Sequence, residues 1–207
     1  MYYAIAFVVS YLIGNINPAI HIGRWRRNID IRQINSKNAG TSNAVMTIGW
    51  RWGILVLLLD MLKGFVPALA AKLLFPDNDI LWFTAGLGAI LGHIYPVFHG
   101  FKGGKGSATF GGVLFGTVPL YAAGLLAVYI LVLVITDYIA LSTLVAIIAT
   151  PIALYLMDYH LASILLMSVF SAISFYKHTE NYKRLLKGEE VGIRKFSRNK
   201  DRLRVTK

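Results

Sequence analysis

The 207-residue chain has no cysteine, which excludes disulfides, a thiolate nucleophile and a zinc centre built on sulfur. Charge is scarce at 15% of residues, and acid is scarcer still, with 10 Asp and Glu against 21 Lys and Arg. No segment is polar enough over a long stretch to form a separate soluble domain, and there is no internal repeat or heptad pattern. What remains is 56% hydrophobic with a mean hydropathy of +0.58. Its apolar runs are long enough to cross roughly 30 Å of hydrocarbon. The composition therefore defines an all-α polytopic membrane protein.

The apolar runs place spans at 4–22, 52–75, 80–98, 107–136, 139–157 and 161–176. The first lacks a basic leader and a small-residue cleavage site and carries Asn15, Asn17 and Pro18, so it reads as a retained helix. The fourth decides the topology. As one helix it would run about 45 Å, too long for the bilayer without strong tilt. Pro119 offers a break near Val118, because proline cannot donate to the helix ladder and restricts the residue before it.

Basic residues supply an independent test. Arg24, Arg26, Arg27, Arg32, Lys37 and Arg51 lie in the first loop, Lys102 and Lys105 in the third, and eleven more from Lys177 onward, together 19 of the 21. A break near Val118 gives seven transmembrane helices and puts all three basic segments on one face. A single long helix would strand the tail opposite the other two. The expectation is seven spans, with the amino terminus outside and the carboxyl terminus cytoplasmic. A net charge of +11 is then a topology signal and a contact to anionic headgroups. Without aromatic and basic residues interleaved along a groove, no nucleic-acid partner is expected.

Residues 92–112 set Lys102 and Lys105 among Gly100, Gly103, Gly104 and Gly106 between two apolar stretches. Glycines allow successive N–H groups to converge on one anion, lysines supply charge, and a helix beginning near Ser107 would add its positive end. The nucleotide-binding spacing G-x-x-x-x-G-K-[ST] fails, since His99 stands at the first glycine and Gly106 follows the lysine. The expected ligand is a phosphate at a membrane edge, without ATP.

The other polar segments fall on the same face. In the first loop Ser36, Asn38, Thr41 and Asn43 surround Gly40, either wrapping an oxyanion or forming a helix cap and turn. In the tail His178, Asn181 and Arg184 recur every three residues, so a helix aligns them along one side, as a site or as a solvated face. The outer loops near 76–79, 118–120 and 158–160 are short and chemically poor. A transporter would gather polar groups near the midplane, whereas this distribution points to one interfacial site. His93 and His99 have no neighbouring acid or cysteine to complete a metal shell, so no metal is expected and a structural hydrogen bond is the better reading. Asp60 and Lys63 share a helical face and read as an intramembrane pair or as a polar edge of the site. Gly86 and Gly88 suit close helix packing. Asn15 and Asn17 either bond between helices at the Pro18 kink or line the site from below.

Residues 14–19, 35–43, 92–98, 101–109 and 178–186, in this order and between these spans, resemble the bacterial acyl-phosphate-dependent glycerol-3-phosphate acyltransferases of the PlsY type. The resemblance covers nearly the whole chain and implies a single integral membrane acyltransferase domain over 1–207, with a basic cytoplasmic tail from about 177. It implies transfer of a fatty acyl group from acyl phosphate to the sn-1 hydroxyl of glycerol 3-phosphate, giving lysophosphatidic acid and inorganic phosphate. This is the first step of phospholipid synthesis, at the cytoplasmic face of a bacterial inner membrane.

An acyl phosphate is already activated, so such a reaction needs neither a cysteine intermediate nor a cofactor. It needs positioning and charge stabilisation. The expected partners are acyl phosphate, glycerol 3-phosphate and the bilayer, without an obligate protein partner. The expected roles put Lys105 on the leaving phosphate with the amides of Gly103, Gly104 and Gly106 and the side chains of Ser36 and Thr41. Lys102, His178, Asn181 and Arg184 would meet glycerol 3-phosphate. His178 serves either as general base or as a binding group beside a substrate phosphate that takes the proton, and the acyltransferase dyad His-x-x-x-x-Asp is absent after all five histidines. In the turn from Asp137, where family members tend to carry serines, this chain has Ala140, leaving Ser142 and Thr143 as phosphate contacts or helix caps.

Overall fold

The computed structural model describes residues 1–194, and these form nine α-helices without strands. They are α1 Tyr2–Gly14, α2 Pro18–Arg27, α3 Thr41–Ile48, α4 Trp50–Leu74, α5 Asp79–Ile94, α6 Ser107–Thr117, α7 Pro119–Thr136, α8 Ile139–Leu156 and α9 Leu161–Leu186. Six segments are long and apolar enough to cross a membrane: Tyr2–Arg27, Trp50–Leu74, Asp79–His99, Pro119–Thr136, Ile139–Leu156 and Leu161–Leu186. The first is broken between α1 and α2, where Asn17 accepts the Ile20 N–H at 3.2 Å and Pro18 opens α2. Asn17 also reaches the Ala39 carbonyl at 3.3 Å, tying this break to the first loop.

Helix α5 is the centre, packed against α1, α4, α6 and α9. Phe83, Leu87 and Ile90 of α5 meet Val113 and Leu114 of α6 and Met167 and Phe170 of α9 in the main core. The contacts of α5 with α1 and of α6 with α4 are backbone-close. A Cβ on Gly92 would overlap the Tyr11 carbonyl, and one on Gly112 the Met61 carbonyl, so small residues set these helix separations. Gly88 against Phe7 and Gly86 against Val113 serve the packing role expected of them. A second cluster joins Ile20, Ile31, Ala39, Ala44 and Val56, packing α2, α3 and the first loop onto α4.

The break in the fourth apolar run falls where Pro119 puts it, with α6 ending at Thr117 and α7 beginning at Pro119. With 11 residues, α6 is about 16 Å long, short for a span by itself. It nonetheless reaches the far end of α4, because Lys72 in the last turn of α4 donates to the Thr117 carbonyl at 2.5 Å. The loop feeding α6 starts deep. Gly104 N–H donates to the His93 carbonyl at 3.1 Å, and His93 Nδ1 lies 3.2 Å from Asp60, ten residues into α4. Ten residues correspond to about 15 Å of helix, which is the length α6 does not need to supply.

The last helix continues to Leu186, well past the span end expected at 176, so His178, Asn181 and Arg184 ride on the membrane helix itself. Beyond it Gly188, with φ of 69°, turns the chain back. Ile193 N–H then donates to the Asp137 carbonyl at 3.2 Å and Arg194 N–H to the Asp137 carboxylate at 2.9 Å. The tail through Arg194 is thus fastened to the α7–α8 turn. The remaining tail, 195–207, lies outside the described residues.

Candidate active site

Three chain segments converge around Lys105. Its ammonium donates to Asn181 Oδ1 on α9. The Asn181 amide nitrogen donates to Glu190 Oε1 at 2.6 Å, and Arg184 Nε donates to Glu190 Oε2 at 2.7 Å. The i, i+3 spacing of Asn181 and Arg184 supplies this alignment, as the sequence pattern required. Burial pushes the Lys105 pKa down to about 8, Arg184 and Lys177 push in the same direction, and Glu190 opposes them. A lysine held at this value is still largely charged near neutrality and gains most from an incoming anion.

His178 is buried one turn before Asn181, with Nδ1 2.8 Å from the Ser174 carbonyl. A carbonyl only accepts, so Nδ1 carries the hydrogen and the neutral ring presents Nε2 as its acceptor.

The glycine loop departs from the expected phosphate cradle. Gly103 N–H donates to the Ile94 carbonyl at 3.2 Å and Gly104 N–H to that of His93, so both amides are engaged by the end of α5. Their lack of side chains serves close approach instead, because a Cβ on Gly104 would overlap the His93 ring and press on the Ala39 carbonyl. Gly106 adopts φ of 88° and opens α6, whose first-turn N–H groups have no intrahelical acceptors. These are the amides left to face an anion.

Beneath the loop lies a cluster the sequence only half revealed. Asp60 Oδ1 is 2.8 Å from Lys63 Nζ and 3.2 Å from His93 Nδ1, all three buried, and Lys63 also donates to the Ile16 carbonyl at 2.9 Å. The pair read from positions 60 and 63 is therefore a triad that ties α4, α5 and the break between α1 and α2 together beneath the glycine loop. In place of the structural hydrogen bond expected of it, the His93 side chain makes a contact to the Asp60 carboxylate. Thirty-three residues separate His93 from Asp60, and no spacing rule spans that distance.

The first loop contributes unequally. Asn43 is fully buried and its amide nitrogen lies within 3.1 Å of the carbonyls of Ile31, Ile34 and Asn38, which makes it the knot of the loop, with no donor left for a ligand. Asn38 is half-buried, Ser36 is exposed, and Thr41 opens α3 with its hydroxyl buried and without a partner among the described residues. The loop is fastened to the third by Arg32, which donates to the His99 carbonyl at 2.7 Å and reaches that of Lys102 at 3.4 Å. Asp30 orients this arginine, and hydrogen bonds from Arg32 hold the Asp30 pKa down to about 2. Lys102 itself is exposed at the loop rim.

Ser142 and Thr143 are buried inside α8, with Thr143 Oγ1 3.4 Å from the Tyr129 hydroxyl. Neither caps α8, whose N-cap residue is Tyr138, and both are closed to solvent. The sequence pattern does not single out Arg32, which fastens the first loop to the third, or Glu190, which bonds Asn181 and Arg184. Glu190 had a signal, an acid within a strongly basic tail shortly after the His178, Asn181 and Arg184 row.

A cationic cluster at the end of a bundle of long apolar helices, with a histidine beside it, is the arrangement of an integral membrane protein with room for charge-assisted contacts to an anion. Comparison with known proteins narrows the class. The glycerol-3-phosphate acyltransferase family profile matches residues 4–188. Curated glycerol-3-phosphate acyltransferases are similar over most of the chain: that of Aquifex aeolicus is 39% identical, covering 88% of this chain and 95% of its own. That of Geobacter sulfurreducens is 41% identical, covering 88% and 93%. A crystal structure of PlsY (YgiH), an integral membrane glycerol 3-phosphate acyltransferase, in its glycerol 3-phosphate form superposes with a TM-score of 0.87 at 35% identity, covering 92% of this chain and 95% of that one. Its lysophosphatidic acid form gives 0.84. The chain belongs to the PlsY-type glycerol-3-phosphate acyltransferase family, with the all-helical integral membrane fold of that family.

Proposed function

We propose that the protein transfers a fatty acyl group from acyl phosphate to the sn-1 hydroxyl of glycerol 3-phosphate. The hydroxyl oxygen bonds to the acyl carbon as the bond from that carbon to the phosphate oxygen breaks. Over the whole reaction the hydroxyl proton leaves on inorganic phosphate, and lysophosphatidic acid is formed. The observation that carries this reading is the convergence of Lys105, Asn181 and Arg184 with His178 one turn away on α9. Lys105 and the first turn of α6 stabilise the departing phosphate, Arg184, Asn181 and Lys102 hold the phosphate of the acceptor, and Nε2 accepts from the reacting hydroxyl. Ser36 and Thr41 close the site from the first loop. Both substrates bring phosphate, and the donor keeps its chain in lipid, so a cationic cluster at the end of a bundle of apolar helices suits both.

The reading includes seven crossings, with the amino terminus outside and the site on the cytoplasmic face of a bacterial inner membrane. The Lys72 to Thr117 bond supports it, since it sets the end of α6 beside the far end of α4. The absence of native cysteine makes a direct test available. A single cysteine at position 158 should react with an impermeant thiol reagent on intact cells, and one at position 189 only after lysis. The chemistry is tested with purified protein in lipid, given acyl phosphate and glycerol 3-phosphate. One inorganic phosphate should appear per lysophosphatidic acid, and phosphate release without acyl transfer would refute it.

A further inference from the structure

The segment after α9 places one carboxylate among the cations of the site. Glu190 is half-buried, with a side chain 12% exposed, and bridges Asn181 Nδ2 and Arg184 Nε through its two oxygens. An amide side chain can face Lys105 with its oxygen or with its nitrogen, and only the oxygen accepts from an ammonium. By taking the nitrogen, Glu190 fixes the orientation in which Asn181 Oδ1 meets Lys105. Its own placement is set from two sides, by the Glu189 N–H bond to the Arg184 carbonyl at 2.8 Å and by the Ile193 and Arg194 bonds to Asp137.

We infer that Glu190 is a positioning residue for the substrate-phosphate site: its carboxylate orients Asn181 toward Lys105, aligns Arg184, and balances their charge before substrate arrives. This deepens the proposed reaction and rests on it. Charge balance is the second part of the argument. The groups acting on Lys105 are Arg184, Lys177 and Glu190, with His178 also beside it, and Glu190 is the one anion among them. Without it the charges acting on Lys105 among the described residues are those of Arg184 and Lys177, and the lysine loses its proton more readily. The gate to activity at alkaline pH should therefore move.

The test compares Glu190→Gln, Glu190→Asp and, as a control, the exposed neighbour Glu189→Gln, in purified protein in lipid. Inorganic phosphate release is followed from pH 6 to 10, with thermal unfolding alongside. Glu190→Gln should raise the KM for glycerol 3-phosphate about tenfold, the loss of one charged hydrogen bond, and move the alkaline limb of kcat/KM to lower pH. Glu190→Asp retains the charge but not the reach, so its limb should stay while KM rises. Glu189→Gln should match the wild type. A Glu190→Gln enzyme with the wild-type limb and KM overturns the inference. A lowered KM also overturns it, since it would mean that the carboxylate merely competes with phosphate. Should Glu190→Gln fail to fold, Glu190→Asp with wild-type KM overturns it alone. Wild-type protein without turnover would instead count against the proposed reaction.

Discussion

The His93 carbonyl accepts the Gly104 N–H at 3.1 Å, while the His93 ring fills the space that a Cβ on Gly104 would need. One residue of α5 thus anchors the glycine loop through its backbone and shapes it through its side chain. Asp60 holds that ring from α4, so loop position and the buried triad are mechanically one unit.

Gly104→Ala should therefore be severe. The added methyl meets the His93 ring and the Ala39 carbonyl at once, and overpacking of this kind costs roughly 1–3 kcal/mol. Phosphate-release assays should show at least about a tenfold fall in kcat/KM. Gly111→Ala, where nothing lies within 4 Å of an added Cβ, should be tolerated.

Lys63→Met should destabilise the fold more than it alters the chemistry. It leaves Asp60, 1% exposed, without its ammonium partner, and breaking a buried pair costs about 3–5 kcal/mol. Thermal unfolding in detergent should show a clearly lowered midpoint, partly restored in Asp60→Asn/Lys63→Met, where neither charge remains.

Lys105→Ala should lower kcat by about 10²–10³, the magnitude of losing one electrostatic donor in a transition state. In the wild type kcat/KM should fall as pH rises through about 8, the Lys105 value, because the ammonium is the active form. Lys105→Arg should retain part of the activity without that limb.

Arg32→Ala should cost less, a severalfold rise in KM, because Arg32 binds the loop carbonyls of His99 and Lys102 without reaching substrate. It should also change acid stability. The Asp30 pKa lies at about 2 against an ordinary 3.8, so the pair stabilises the fold fully above about pH 4 and the contribution is lost as pH falls through 2. Acid unfolding of Arg32→Ala should lack that component.

Much of the fold was legible because apolar run length and Pro119 fix helices directly, and the tail row His178, Asn181, Arg184 keeps its meaning in any helical setting. Helix neighbours were not legible. α4 and α6 are apolar on nearly all sides, which removes the one-face pattern that would show what each packs against. The site failed in the loops for a related reason. Asn43 and Ser36 have similar chemistry, but the first turns inward to bond its own loop and the second stays exposed. Spacing does not encode that choice where no regular element sets side-chain direction. The Gly103 and Gly104 amides point to the same lesson: glycine marked a tight approach correctly, while the partner was a helix end and not a phosphate.

The most direct measurement gives the purified protein glycerol 3-phosphate with one acyl donor at a time, acyl phosphate, acyl-CoA or acyl carrier protein, and quantifies lysophosphatidic acid by mass spectrometry. A site that stabilises a departing phosphate with Lys105 should turn over with acyl phosphate, and the Lys105→Ala variant should lose that activity. Turnover with a thioester donor and none with acyl phosphate would contradict the account.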